Sequence, residues 1–191
     1  MRTKSPDICS RILLAAEVSF ATKRFHEVRM EDIALAAQVG KGTIYRYFSD
    51  KEALYDALLK EASHELLGRL EDSIGMQHSA KSKLVALVGT SLEVFDKRPH
   101  LFDLILHTEA LRTMSNEFPW QETRFQVIEL VQKIFSHACA CQEFVIKDPL
   151  HASLQLLGGL RAVIRFGKKP RPVDLPQNMV SDFLDGSAKK C

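Results

Sequence analysis

The sequence has few cysteines, no long apolar run and almost no strand signal. Its four cysteines, at positions 9, 139, 141 and 191, are too few and too unevenly spaced for the disulfide framework of a small secreted protein. No stretch approaches the roughly 18 apolar residues that a membrane helix needs, and residues 1–4 are not followed by a signal-type apolar segment. We therefore expect a cytoplasmic protein with reduced thiols and no membrane partner.

Enzyme signatures are also missing, because the chain has no nucleophile with a matching base, no phosphate-cradling loop and no metal-ligand set. Glu61 and His64 have the spacing of a di-iron helix bundle, but that site needs a second Glu-x-x-His and two further glutamates. Cys139 and Cys141 would point about 200° apart on a helix, so they cannot share a metal ion. The sequence predicts a protein that is not an enzyme, with no cofactor and no metal.

The charge of the chain is unevenly distributed. Net charge is only +2, and the 46% hydrophobic and 26% charged content is ordinary for a globular protein. Residues 1–51 nevertheless hold nine Lys and Arg against six Asp and Glu, whereas residues 52–191 hold 17 against 18. The excess of positive charge therefore lies in the N-terminal quarter.

Apolar residues recur at helical spacing throughout, which predicts an all-α fold. Helices are expected over about residues 7–23 and over Met30–Ala37, and a turn at Gln38–Gly40 then leads into a short helix ending near Phe48. The capping-box pattern of Ser49–Glu52 predicts the start of a longer helix. Further helices are expected over about 84–97, 99–114, 125–141, 149–167 and 177–184, with Asp148 as an N-cap and a linker at 168–176.

The helix ending at Phe48 has an unusual exposed face. With about 100° between successive residues, Phe48 lies beside Ile44 on the inward side, Gly42, Thr43 and Arg46 lie opposite, and two tyrosines lie on the flanks. A small residue, a hydroxyl and a cation suit a DNA groove better than a protein core. Arg46 can contact guanine with its planar fork or pair with phosphates, and both alternatives stay open.

The surrounding residues are predicted to hold this helix on DNA. Gly42 allows a close approach to the backbone of the duplex, where helix amides can meet a phosphate. Lys41, Tyr45, Tyr47 and Lys51 are interpreted as contacts to the DNA backbone.

In this region the sequence resembles the TetR family of bacterial regulators over about residues 8–58. The residues that carry the resemblance are Ile12, Ala15, Ala16, Phe20, Ile33, Ala34, Ala37, Val39, Lys41, Gly42, Thr43, Ile44, Tyr45, Tyr47, Phe48, Lys51, Glu52 and Leu54. The resemblance implies a helix-turn-helix whose second helix reads DNA, with contacts from Lys41, Gly42, Thr43, Tyr45, Arg46, Tyr47 and Lys51.

Three positions depart from the family pattern, and each removes a helix cap. Gly40 stands where the family has a serine, Arg24 where it has a glycine, and Arg29 where it has Thr or Ser. Arg29 is expected to give a phosphate contact in exchange.

By the same likeness, the remainder of the chain is expected to bind an effector and to dimerise. We predict a helix-turn-helix domain at 1–51 and a helical effector-binding and dimerisation domain at 52–191. Effector contacts are expected among the apolar and polar residues Phe95, Phe102, Ile105, His107, Leu111, Trp120, Phe125 and His137. Each of these is also compatible with ordinary core packing.

The last two helices are expected to pair with their copies in a second chain, through Leu154, Leu157, Gly158, Arg161, Val180, Phe183 and Leu184. Packing within one chain is an equally simple interpretation. A dimer also follows from mechanism, because one short helix reads too few bases whereas two read a palindrome.

Together these inferences predict a regulator that binds a palindromic operator in double-stranded DNA as a homodimer and is released by a small hydrophobic effector. Repression, as opposed to activation, rests on the resemblance alone. A helical protein that binds another protein through this face is the main alternative, but such a face normally presents apolar anchors.

Overall fold

The computed structural model describes residues 6–111 and 120–187 and confirms the predicted all-α fold within these ranges. They contain nine α-helices and no β-strand: α1 Pro6–Thr22, α2 Met30–Ala36, α3 Lys41–Tyr47, α4 Lys51–Gly75, α5 Ala80–Lys97, α6 Pro99–Leu111, α7 Gln121–Ala140, α8 Pro149–Phe166 and α9 Leu175–Ser187. None of these helices is long and apolar enough to cross a membrane. The predicted end of the sixth helix near residue 114 lies outside the described residues.

The described residues form two compact units. Those of Met1–Ser63 and Arg98–Trp120 form one, here called the N-terminal unit, and those of His64–Lys97 and Gln121–Cys191 form the C-terminal unit. This division differs from the predicted boundary after residue 51, because it falls inside α4 and places α6 with the N-terminal helices. Tyr55 of α4 accounts for part of the difference, since its ring packs edge-on against Phe20 of α1 at 5.2 Å.

The N-terminal unit is built on the spacing that the sequence predicted. Ile12 and Ala16 lie one turn apart on α1 and are fully buried, as are Ile33 of α2 and Ile44 of α3. Helices as short as α2 and α3 are unstable alone. Because α2 packs on α1 and α3 packs on α2, these contacts fix where α3 lies and which of its faces is exposed.

Two cations cap the short segments of this unit, which the sequence did not predict. Arg11 Nη2 donates to the carbonyls of Ala37 at 2.6 Å and Gln38 at 3.0 Å, where α2 ends. Lys51 Nζ donates to the carbonyls of Phe25 at 2.6 Å and Val28 at 3.0 Å. These bonds satisfy carbonyls at the ends of short helical segments. They compensate in part for the helix caps that the family pattern has and this sequence lacks.

The start of α4 is shifted by one residue from the predicted capping box. The backbone N–H of Ala53 donates to Asp50 Oδ1 at 2.7 Å, so Asp50 and not Ser49 is the capping residue. That backbone hydrogen bond and one from Ser49 lower the pKa of Asp50. Ser49 Oγ instead donates to Asp50 Oδ2 at 2.9 Å.

Helix α6 is tied to α1 by a half-buried cluster. Arg98 donates to Glu17 through Nε at 2.6 Å and Nη2 at 2.9 Å, and His100 Nε2 lies 3.1 Å from Glu17 Oε1. Burial by itself would raise the pKa of Glu17, but Arg98 and then His100 outweigh it and lower the pKa. Tyr55 adds a second tie, because its hydroxyl donates to the carbonyl of Leu104 at 3.0 Å.

The C-terminal unit has one apolar core that α5, α7, α8 and α9 share. Its most buried members include Leu84, Leu87, Val88, Phe135 and Leu156. The backbone amides of Ala80 and Lys81, which begin α5, donate to the carboxylate of Glu143 at 3.2 and 3.3 Å. Asp148 caps α8 as predicted, accepting from the amide of His151 at 3.0 Å.

A buried arginine fixes the linker between α8 and α9. The Arg171 side chain is 7% exposed, and its Nε donates to Asp96 Oδ2 on α5 at 2.6 Å. Its other nitrogens donate to the carbonyls of Val163 at 2.9 Å and Ile164 at 3.2 Å, near the end of α8. Lys169 Nζ lies 3.0 Å from the second oxygen of Asp96. One side chain thus connects α5, α8 and the linker.

Candidate nucleic-acid interface

Helix α3 presents the exposed face that the sequence predicted. Its N-cap Gly40 is extended, and the preceding Gln38 has the left-handed φ of 54°, which turns the chain from α2 into α3. Ile44 is buried, whereas Gly42 and Arg46 are exposed and Thr43 is half-buried. No neighbouring heavy atom lies within 4 Å of where a Cβ would stand at Gly42. The start of α3 is therefore open to a close approach.

The predicted contacts on one flank of α3 interact with α2. Lys41 Nζ lies 2.8 Å from Glu31 Oε1, and the hydroxyl of Tyr45 donates to the same oxygen at 3.5 Å. The hydrogen bond with Lys41 lowers the pKa of Glu31, and the same hydrogen bond raises the pKa of Lys41. Lys41 and Tyr45 remain exposed, as a contact to phosphate requires. Glu31 was not predicted from the sequence as part of this site, although it is acidic and lies in the first turn of α2.

Two predicted DNA contacts have another role in the structure. Tyr47 is only 8% exposed, so most of its ring belongs to the core of the unit, with the Arg46 guanidinium 5.6 Å from the ring centre. Tyr47 is three residues after Ile44 and so shares its face. Lys51 directs its ammonium to the carbonyls of Phe25 and Val28. In this conformation both residues are engaged within the unit, and their interpretation as contacts to the DNA backbone stays a prediction.

Arg29 is exposed and stands at the N-cap of α2, where the described structure shows no cap hydrogen bond from its side chain. Its position allows the predicted phosphate contact. The set that α2 and α3 bring together on the surface of the N-terminal unit is Arg29, Lys41, Gly42, Thr43, Tyr45 and Arg46.

The predicted effector residues fall into different environments. Phe102 and Ile105 are buried in the N-terminal unit and Phe95 is buried in the C-terminal unit, while Trp120 is half-buried. The side chains of His107 and Leu111 lie outside the described residues. Phe125 is 61% exposed, so it lies at the surface and not in the core, and its contact with an effector stays a prediction.

His137 is also exposed, and its Nε2 lies 3.6 Å from the Sγ of Cys141. Cys139 instead directs its thiol to the carbonyl of Ile146 at 3.8 Å. Where side chains are described, no group of three or more His, Cys, Asp or Glu could hold a metal ion.

The predicted dimerisation residues also divide. Val180 and Leu184 are buried within the chain, because α9 packs on α5, so neither offers a surface to a second copy. Phe183 packs against the same core, in a ring contact with Phe135 at 5.9 Å. Leu157 and Arg161 are half-buried, whereas Leu154 is 48% exposed and Gly158 faces open space.

The N-terminal part of the chain is similar to a family of known proteins. Residues 12–58 match the model of the bacterial regulatory proteins, tetR family. The Fatty acid metabolism regulator protein of Bacillus subtilis is 35% identical over 88 residues, 46% of this chain and 45% of that protein. The HTH-type transcriptional repressor KstR2 of Rhodococcus jostii is 29% identical over 108 residues, 56% of this chain and 52% of that protein. The chain spans about half the length of the curated relatives it matches.

The fold is shared more widely than the sequence. The crystal structure of the transcriptional regulator FadR from Bacillus subtilis in complex with stearoyl-CoA has a TM-score of 0.77 with this chain. It is 24% identical, and the match covers 93% of this chain and 98% of that one. Residues 12–58 are thus similar to the tetR family of bacterial regulatory proteins, and the chain shares the fold of the FadR structure.

Proposed function

We propose that the chain is a transcriptional repressor that binds a palindromic operator as a homodimer and is released by a small hydrophobic effector. The observation that carries this proposal is the exposed face of α3, where Gly42, Thr43 and Arg46 stand opposite the buried Ile44. This face offers a donor fork, a hydroxyl and an unobstructed helix start, which are the groups that read base edges and contact phosphates.

Substitution of Arg46 tests whether α3 reads sequence. A duplex enriched by the wild-type protein from a random library is compared with a random-sequence duplex at physiological salt. We expect Arg46→Ala to lower the preference for the enriched duplex by about 10- to 100-fold, the loss of one bidentate base contact. Arg46→Lys keeps the charge and loses the fork. An equal loss in both variants supports base contact, and full retention in Arg46→Lys assigns the residue to phosphate.

The exposed Lys133 on α7 provides a control, because Lys133→Ala removes a cation far along the chain from α3. If the wild-type protein binds enriched and random duplexes equally, sequence-specific recognition is contradicted.

The effector is proposed from the relatives. One relative is named for fatty acid metabolism and a structure of similar fold contains stearoyl-CoA. Stearoyl-CoA is therefore the first probe to add to the DNA complex in the same assay, and unchanged DNA affinity at saturating probe would count against this effector class.

The proposed dimer uses an exposed stripe of α8. Leu150 and Leu154 are one turn apart and are both exposed, and Gly158 continues the stripe with open space beyond it. Apolar side chains and a glycine in one row favour close packing with a second helix. The stripe therefore supports a second copy of the chain as its partner.

We expect Leu154→Glu to convert a dimer into a monomer, because it places a charge in the apolar centre of that interface. Sedimentation equilibrium measures the change. The neighbouring Gln155→Glu adds the same charge on the same helix at an exposed position and is expected to leave the dimer intact. A wild-type monomer, or a dimer that survives Leu154→Glu, contradicts the proposed interface.

A further inference from the structure

A single carboxylate of α2 contacts two residues on one flank of α3. Lys41 and Tyr45 are one turn apart on α3, and both contact the same atom, Glu31 Oε1, at 2.8 and 3.5 Å. Residues at this spacing share a face of a helix. Glu31 therefore joins the start of α2 to the two groups of α3 that are otherwise available to DNA phosphates.

This contact affects binding to random and enriched DNA differently. On random DNA, contacts between cations and phosphates supply essentially all of the affinity. Because Lys41 is paired with Glu31, it contributes less to such binding, and the carboxylate of Glu31 itself repels phosphate. On an operator, Thr43 and Arg46 add base contacts that depend on the orientation of α3, and a link between α2 and α3 helps to maintain that orientation.

We propose that Glu31 is a positioning residue that increases sequence discrimination by holding Lys41 and Tyr45 away from the phosphates of random DNA. On the operator, Glu31 helps to keep α3 in the orientation that its base contacts require. This inference rests on the proposed DNA-binding function and names a determinant of its specificity.

A neighbouring residue provides a matched control. Asp32 lies in the same turn of α2, and its side chain is 53% exposed against 46% for Glu31. It pairs with Lys23 at 3.8 Å and not with α3. Asp32→Asn and Glu31→Gln therefore change the net charge equally, but only Glu31→Gln releases Lys41 and Tyr45.

The experiment measures affinity for a random-sequence duplex and for the duplex enriched by the wild-type protein, over a range of salt concentrations. We expect Glu31→Gln to raise affinity for the random duplex several-fold more than Asp32→Asn does, and to steepen its salt dependence by about one unit. The preference for the enriched duplex is expected to fall at least threefold relative to Asp32→Asn. In a Lys41→Gln background, Glu31→Gln is expected to lose its effect on the salt dependence.

Each outcome bears on a defined claim. If Glu31→Gln and Asp32→Asn behave alike, only net charge matters and the inference about Glu31 is overturned while the proposed function stands. A wild-type protein that binds neither duplex overturns both. An effect of Glu31→Gln that persists unchanged in the Lys41→Gln background also overturns the role of the contact with Lys41.

Discussion

Arg171→Met is expected to lower the free energy of unfolding of the C-terminal unit by about 3 kcal/mol. The variant removes the hydrogen bond to Asp96 and those to the carbonyls of Val163 and Ile164. Because Arg171 is almost fully buried, its loss removes a donor from Asp96 and from the Ile164 carbonyl in a place that water enters poorly, while the Val163 carbonyl still accepts from the backbone amide of Gly167 at 2.9 Å. Methionine keeps most of the apolar part of the side chain, so the change in the free energy of unfolding measures the loss of the polar contacts.

The measurement is urea unfolding at neutral pH, followed by the circular dichroism of the helices. Lys169→Met is the control, because Lys169 pairs with the same Asp96 but its side chain is 47% exposed. Such a pair contributes under about 1 kcal/mol. Equal effects of the two substitutions would show that burial of Arg171 is not the source of the stabilisation.

The interaction between Asp96 and Arg171 makes the stability of the C-terminal unit depend on pH. Burial by itself would raise the pKa of Asp96, but the hydrogen bonds from Arg171 and Lys169 outweigh it and lower the pKa. A carboxylate with a lowered pKa stabilises the folded state above its unfolded pKa of about 4, and that contribution is lost as the pH falls through the folded pKa. We therefore expect Arg171→Met to reduce the difference in stability between pH 7 and strongly acidic pH.

Lys51→Met is expected to destabilise the N-terminal unit by about 2 kcal/mol, because two charge-assisted hydrogen bonds are lost. Its ammonium donates to Phe25 and Val28 and lies 4.4 Å from the centre of the Phe25 ring. Lys60→Met is the control on the same helix, since Lys60 is exposed. Urea unfolding of both variants measures the difference.

DNA binding separates this role from the one predicted from sequence. If Lys51 were a phosphate contact, the substitution would reduce the salt dependence of binding by about one unit and leave stability nearly unchanged. We expect the opposite for protein that is still folded: reduced stability and an unchanged salt dependence. A reduced salt dependence with nearly unchanged stability would instead support the interpretation of Lys51 as a phosphate contact.

The helices and the exposed face of α3 could be predicted because they follow from local spacing. Ile44 points inward and Arg46 outward for the same reason, the angle between successive residues. Tyr47 was misplaced because a residue three positions after an inward one also approaches the core, and a large ring completes its burial. Local spacing therefore predicted the faces of α3 and left its edges ambiguous.

Contacts between distant segments could not be predicted. Lys51 contacts the carbonyl of Phe25 only because the fold brings two residues that are 26 positions apart in the sequence close together. Val180 was expected at a dimer surface because an apolar stripe indicates burial without indicating what covers it. In the structure α9 packs on α5 of the same chain, and this contact explains why Val180 is buried.

Under the proposed function, the engaged cations of the N-terminal unit affect how the protein searches a genome. Arg11 and Lys51 are directed to backbone carbonyls, and Lys41 is paired with Glu31. At least four positive side chains in the described part of residues 1–51 are thus already engaged when the protein meets a duplex, since Lys23 also pairs with Asp32 at 3.8 Å. Since non-operator DNA competes through such cations at very many sites, fewer molecules are retained there. For a repressor of the kind proposed above, a small number of copies per cell would then keep its operator occupied.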